Sequence, residues 1–85
     1  MNVKLPDSVF VDLYDATGIA VGNKIDALNI TPNDISLYSS AAEPTVSDDH
    51  IPLLFGRGKG QNEAGDAGAW AICIGGGAID IQEVV

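Results

Sequence analysis

The chain has 85 residues, with 12 acidic and 4 basic side chains and a formal net charge of −8. An acidic balance argues against nucleic acid, whose phosphates need a basic patch, and against anionic membranes. Cys73 is the only cysteine, so an internal disulfide is excluded, and one cysteine with one histidine cannot complete a structural zinc site.

The first third of the chain alternates between apolar and polar residues. Residues 8–14 predict a strand that places Tyr14 on the face of Asp12, and a turn follows at 15–18. Residues 19–21 predict a further short strand, and 24–30 predict the next. No apolar spacing typical of an amphipathic helix accompanies these segments.

The middle of the chain has one clear alternating segment and two irregular ones. Residues 35–38 predict a strand with Tyr38 on the face opposite Ile35. Polar residues at 39–50 predict a loop. The short apolar run that starts at Ile51 contains Pro52, which favours an edge strand or an extended segment.

The last third begins with a glycine-rich connection at 56–68 and continues with two strands. Residues 70–74 alternate Trp70 and its isoleucines against Ala71 and Cys73, so both faces are apolar. Three glycines turn the chain into a final alternating segment at 78–85. These segments predict an all-β fold, a small antiparallel β-sandwich or β-barrel of six to seven short strands, in a single domain over residues 1–85.

The glycine-rich connection carries Arg57 and Lys59, which suggests a phosphate-binding loop. A P-loop requires glycine five residues before the Gly58-Lys59 pair, where Leu53 stands, and a dinucleotide loop requires glycine at Gln61. Both patterns fail. We therefore expect no phosphate cofactor, and we expect the two cations to meet acidic surface on a neighbouring subunit or partner.

Other candidate chemistry is sparse. Asp48, Asp49 and His50 are adjacent, but adjacent residues of an extended chain point in different directions, so a metal site is not expected. Cys73 lies among isoleucines, as a buried structural cysteine does. We predict a protein that is not an enzyme and has no cofactor or metal.

Aromatic residues are the best candidates for contact with a partner. Tyr14 and Tyr38 qualify if their strand faces are exposed, and Trp70 qualifies as an anchor of the core or of a subunit interface. A domain this small often gains stability by oligomerisation, and symmetry alone favours a dimer.

The sequence also resembles a group of small structural proteins of tailed bacteriophages. The pattern runs from about Ile19 to Glu83, through "NITPNDISLYSSAAEP", "PLLFG", "GAWA" and "AIDIQE". The matching positions are Pro44, Pro52, Leu53, Gly56, Gly68, Trp70, Ala71, Gln82 and Glu83. The charged stretch "GRGKGQNEAGD" at 56–66 is longer here and departs from that pattern.

This resemblance implies a component of the virion. The main expectation is a capsid decoration (cement) protein, bound to the major capsid protein as a homo-oligomer, with a trimer favoured. The alternative is a fibre or tail module that recognises a host-surface glycan through Tyr14, Tyr38, Asp12 and Asn62.

Overall fold

The computed structural model describes residues 1–54 and 58–84, which form two four-stranded antiparallel sheets around a shared core. The predicted all-β sandwich is therefore confirmed. The described residues contain eight strands and one helix: β1 Asn2–Leu5, β2 Val11–Asp12, α1 Leu13–Thr17, β3 Ile25–Asn29, β4 Ile35–Tyr38, β5 Ile51–Leu53, β6 Lys59–Gln61, β7 Trp70–Cys73 and β8 Gly77–Glu83.

The strands divide between the sheets without following chain order. Sheet A has the order β1-β8-β3-β6, and sheet B has the order β2-β7-β4-β5. Both sheets therefore combine strands from the two ends of the chain. The prediction that Pro52 belongs to an edge strand is confirmed, because β5 is the last strand of sheet B.

The core follows from the period-two alternation of side chains along each strand. Residues that face inward are aliphatic or small, and they are almost fully buried. Sheet A contributes Val3, Leu5, Ile25, Ala27, Ile79 and Ile81, and sheet B contributes Ile35, Leu37, Leu53, Ala71 and Cys73. The sheets approach each other closely at Gly60, where an added Cβ would lie 2.9 Å from Leu53 Cδ2.

One buried polar side chain joins the two sheets. Asn29 at the end of β3 donates from Nδ2 to the carbonyl of Leu53 in sheet B at 2.8 Å and to that of Asn33 at 2.7 Å. Its Oδ1 accepts from the Thr31 amide at 2.9 Å. Because each polar atom of this amide has a partner, its burial is tolerated, and the bonds fix the turn between β3 and β4.

The strand predicted over 8–14 is wrong for most of its length. Only Val11–Asp12 is extended, and α1 follows at once. Asp12 Oδ1 accepts from the amides of Tyr14 and Asp15 at 3.1 and 3.2 Å, so it caps the helix, and Gly18 ends it. Alternation over 8–14 gave no sign of the cap, because an aspartate fits an outward strand position equally well.

Two further predictions need correction. Residues 19–21 do not form a strand, and the connection at 56–68 contains β6, which pairs with β3. A glycine-rich segment of low strand propensity becomes a strand here because β3 offers an unpaired edge and Gly60 fits beneath sheet B. β1 was also missed, so the described strands number eight instead of six or seven.

Candidate interaction site

The outward face of sheet B is apolar, although a solvated sheet face is normally polar. Tyr38 of β4 and Trp70 of β7 are register partners, and Ser36 pairs with Ile72 one row away. Because paired residues share a face, these four side chains lie together on the outside of the sandwich. This apolar outer face is the candidate site.

Tyr38 is covered by Phe10, from the first part of the chain, and by the connection 39–50 that directly follows β4. The Phe10 ring lies edge-on to Tyr38, with the ring centroids 5.2 Å apart. The His50 ring packs at 4.9 Å, and the Tyr38 hydroxyl donates to the Val46 carbonyl at 3.3 Å. The connection 39–50 therefore folds back over sheet B and forms a second, smaller apolar cluster outside the main core.

This cover buries Tyr38, which is only 2% exposed. The condition attached to its prediction as a contact residue, an exposed strand face, is therefore not met. The physical reason is that alternation assigns a residue to a face of the sheet, and a loop can then cover that face. Tyr38 is a buried part of the site, and the accessible surface is formed by residues around it.

A groove of about 630 Å³ remains open beside this cluster. Ile72 is buried in its floor, whereas Ile74 and Val46 are 65% and 63% exposed at its rim. Aliphatic side chains exposed to that extent around a concave surface are typical of contact sites. The lining residues, here called the sheet B groove, are Pro32, Asn33, Asp34, Ser36, Tyr38, Val46, His50, Ile72 and Ile74.

Trp70 is held at the margin of this face. Its indole is half-buried, and Nε1 donates to the Ser40 carbonyl at 3.0 Å. Gly68 makes this approach possible, because a Cβ on Gly68 would overlap the same carbonyl oxygen. Trp70 thus fastens the start of the connection 39–50 to β7, and its edge stays accessible.

Tyr14 is internal and does not belong to the site. Its hydroxyl donates to the Asn23 carbonyl at 2.6 Å and accepts from Asn62 Nδ2 at 2.7 Å. Asn62 Oδ1 in turn accepts from the Ile25 amide at 2.7 Å. Tyr14 is 3% exposed, so the condition attached to its prediction as a contact residue, an exposed strand face, is not met, and the residue instead ties α1 to β3.

These contacts also affect the predicted glycan site. Tyr14, Tyr38 and Asn62 are buried, and Asp12 accepts the helix-capping bonds. A glycan needs a planar aromatic surface that is open to solvent together with free polar groups. The four residues selected for that role are used in the protein's own structure.

Lys59 lies on the other side of the molecule. It pairs with Leu28 in sheet A and is exposed on the outer face, beside Asp26, Gln61, Asp80 and Gln82, around an open depression of about 510 Å³. Arg57, its predicted partner in charge recognition, lies outside the described residues. The structure therefore brings Tyr38 and Trp70 together on the outer face of sheet B, places Lys59 on the outer face of sheet A and buries Tyr14.

Charge is distributed unevenly between the two sheets. The described cations Lys4, Lys24 and Lys59 lie in sheet A strands or beside them. Of the acids, Asp26, Asp80 and Glu83 belong to these strands. The elements of sheet B and the connection 39–50 contain acids and no lysine or arginine: Asp12, Glu43, Asp48 and Asp49, with Asp34 directly before β4.

The residues considered as metal ligands or nucleophiles, Asp48 and Cys73, have structural roles. Asp48 Oδ2 accepts from the Thr45 amide at 2.9 Å and closes a turn. Across residues 1–54 and 58–84, no group of three potential metal-ligating side chains is clustered. Burial, followed by the charge of Asp7, raises the pKa of the Cys73 thiol, which fits its position on the inner face of β7.

Sequence reasoning missed several contributors to the groove. Val46 and His50 come from a segment that was predicted only as a polar loop, and Phe10 was assigned to an ordinary strand. Ile72 and Ile74 carried a usable signal, since they alternate with buried residues and share a face with Trp70.

A scan against protein-family models found no match, and searches of curated proteins and of solved structures found none either. In the described part of the chain, no helix is long and apolar enough to cross a membrane. The family, the oligomeric state and the lack of catalysis stay predictions from the sequence.

Proposed function

We propose that the chain is a non-enzymatic structural protein of a tailed-phage particle, acting as a capsid decoration protein that binds the capsid surface as a homo-oligomer. The observation that carries this proposal is the apolar outer face of sheet B. An acidic protein of 85 residues that keeps aliphatic side chains exposed around a groove has a surface suited to another protein.

The mechanism of such a protein is burial of surface and needs no chemical step. The rim residues Val46 and Ile74 would be removed from water on binding, at roughly 25 cal/mol for each Å² of apolar area. The cluster around Tyr38 holds the groove in shape before binding, so little conformational freedom is lost. The sequence pattern shared with small phage structural proteins supports the location on a virion.

Mass spectrometry of purified particles tests this proposal. Particles of a phage whose genome encodes the chain should be banded on a density gradient and washed in high salt. We expect the chain to co-purify at a fixed ratio to the major capsid protein. A replication enzyme of the same phage serves as the control for carry-over. Absence of the chain from washed particles would overturn the proposal.

A further inference from the structure

We infer that the sheet B groove receives an extended segment of another protein in which an aliphatic side chain is flanked by lysine or arginine. This inference deepens the proposed function and rests on it, because it states the chemistry of the partner. Three properties of the groove carry the inference: its shape, its apolar rim and the sign of the charge around it.

The shape and lining fit one or two aliphatic side chains. The groove, at about 630 Å³, lies in the size range of pockets that hold small ligands, so it has room for more than one aliphatic side chain. Ile72 contributes buried apolar surface to the lining, and Val46 and Ile74 contribute exposed apolar surface. An aliphatic side chain in the groove would bury its surface against this lining, whereas a charged side chain would lose its hydration there.

The charge around the groove selects against another copy of this chain. Asp34 lines the groove, and Asp48 and Asp49 lie in the connection that covers Tyr38. Every lysine that the structure describes lies in sheet A or beside it. Two copies meeting groove to groove would therefore bring acids against acids, whereas a basic segment would gain complementary charge.

The direct test uses peptides and the ¹⁵N-labelled protein. The probe is a short capped peptide that alternates lysine with leucine, titrated while amide chemical shifts are followed by NMR. Two peptides serve as controls: one replaces lysine with glutamate, and the other replaces leucine with serine. We expect the lysine–leucine peptide alone to shift the amides of β4, β7 and residues 45–50.

Two matched pairs of variants assign the effect to the groove. Val46→Ser should weaken peptide binding about five-fold through lost apolar burial, whereas Val21→Ser, which is equally exposed elsewhere, should leave it unchanged. Asp34→Asn should weaken binding about two-fold at low salt. Asp15→Asn makes the same change of charge on α1 and should have no effect.

Several results would overturn the inference. These are a lack of shifts at millimolar peptide, equal binding of the glutamate peptide, and shifts confined to sheet A. Shifts of the groove amides that depend on protein concentration alone would assign the groove to a second copy instead. The outcome is separable from the proposed function, since particle mass spectrometry does not depend on the groove. If the chain is present in particles and does not bind the peptide, the proposed function stands and the inference about the groove is wrong.

Discussion

The two outer faces of the sandwich come from strands with the same alternating pattern, yet their chemical character differs: the face of sheet A is polar and that of sheet B is largely apolar. On sheet A, Asp26 bonds to Gln61 and Asp80 bonds to Gln82, so polar groups bond to one another in the open. On sheet B, the outward side chains are mostly aromatic and aliphatic and are partly covered by the connection 39–50. The polar groups on the outer face of sheet A therefore bond to one another, whereas the outer face of sheet B keeps exposed aliphatic side chains at Val46 and Ile74.

The largest expected change in stability comes from Tyr38, and it tests whether the cluster of side chains outside sheet B acts as a second core. Tyr38→Ala should lower the free energy of unfolding by about 3 kcal/mol, because it leaves a cavity between Phe10 and His50. Leu28→Ala removes a half-buried side chain from the outer face of sheet A and should cost less than about 1 kcal/mol. Urea denaturation followed by circular dichroism measures both.

Equal losses for these two variants would break the comparison, because the outer faces would then be energetically alike. Tyr38→Phe provides a further control. It keeps the ring contacts and removes only the 3.3 Å bond to the Val46 carbonyl, so a loss of about 0.5 kcal/mol is expected.

A smaller effect concerns the attachment of the connection 39–50 to β7. Gly68→Ala should cost about 2 kcal/mol, because the new methyl group would overlap the Ser40 carbonyl. Trp70→Phe removes the indole N–H bond to that carbonyl together with part of the ring surface, and should cost about 1 to 2 kcal/mol. Lys4→Ala, on the outer face of sheet A, should be nearly neutral. Wild-type stability of Gly68→Ala would show that Ser40 is not held where the structure places it.

The smallest effect belongs to sheet A and depends on pH. The hydrogen bond from the Met1 amine to Asp80 Oδ1, at 2.9 Å, is the main cause that lowers the pKa of this carboxyl. A carboxyl whose pKa is lowered in the folded state adds stability above its unfolded pKa and loses it as pH falls through the folded pKa. Asp80→Asn should therefore lower the free energy of unfolding slightly at neutral pH. The variant should also lose less stability than the wild type when the pH is lowered.

The comparison is made by urea denaturation at about pH 7 and about pH 2.5. Acetylation of the Met1 amine should mimic Asp80→Asn at neutral pH, and the two changes together should not add. If the stability losses of the two changes added fully, the Met1 amine and Asp80 would not be interacting. A difference of a few tenths of a kcal/mol is expected, since the pair lies near the surface.

The sequence predicted the parts of the fold that depend on alternation within one strand. The inward positions of β4 and β8 follow from it, since Ile35 and Leu37, and Ile79 and Ile81, alternate with polar or outward residues, and Pro52 correctly marked an edge. α1 and β6 could not be predicted in this way. β6 forms because of a partner elsewhere, the free edge of β3. α1 begins at a local cap, Asp12, and its five residues are too few to show the apolar spacing of an amphipathic helix.

The candidate site was predicted only in part for the same reason. Alternation placed Tyr38 on the face opposite Ile35, and its register with Trp70 shows that the two side chains share the outer face of sheet B. Because both faces of residues 70–74 are apolar, alternation did not assign Trp70 to either face. It could not show that His50 and Phe10 would cover Tyr38, because both come from other segments. Tyr14 was misjudged because its hydroxyl partner, Asn62, is distant in sequence.

Pro52 has a consequence for a protein that is crowded at high local concentration. β5 is three residues long, and proline at its centre removes one of the amide hydrogens that a further strand would need. Sheet B is therefore protected on this edge against extension by strands from neighbouring molecules. We expect copies of the chain to tolerate close spacing without growing into fibres, while their outer faces stay free for specific contacts.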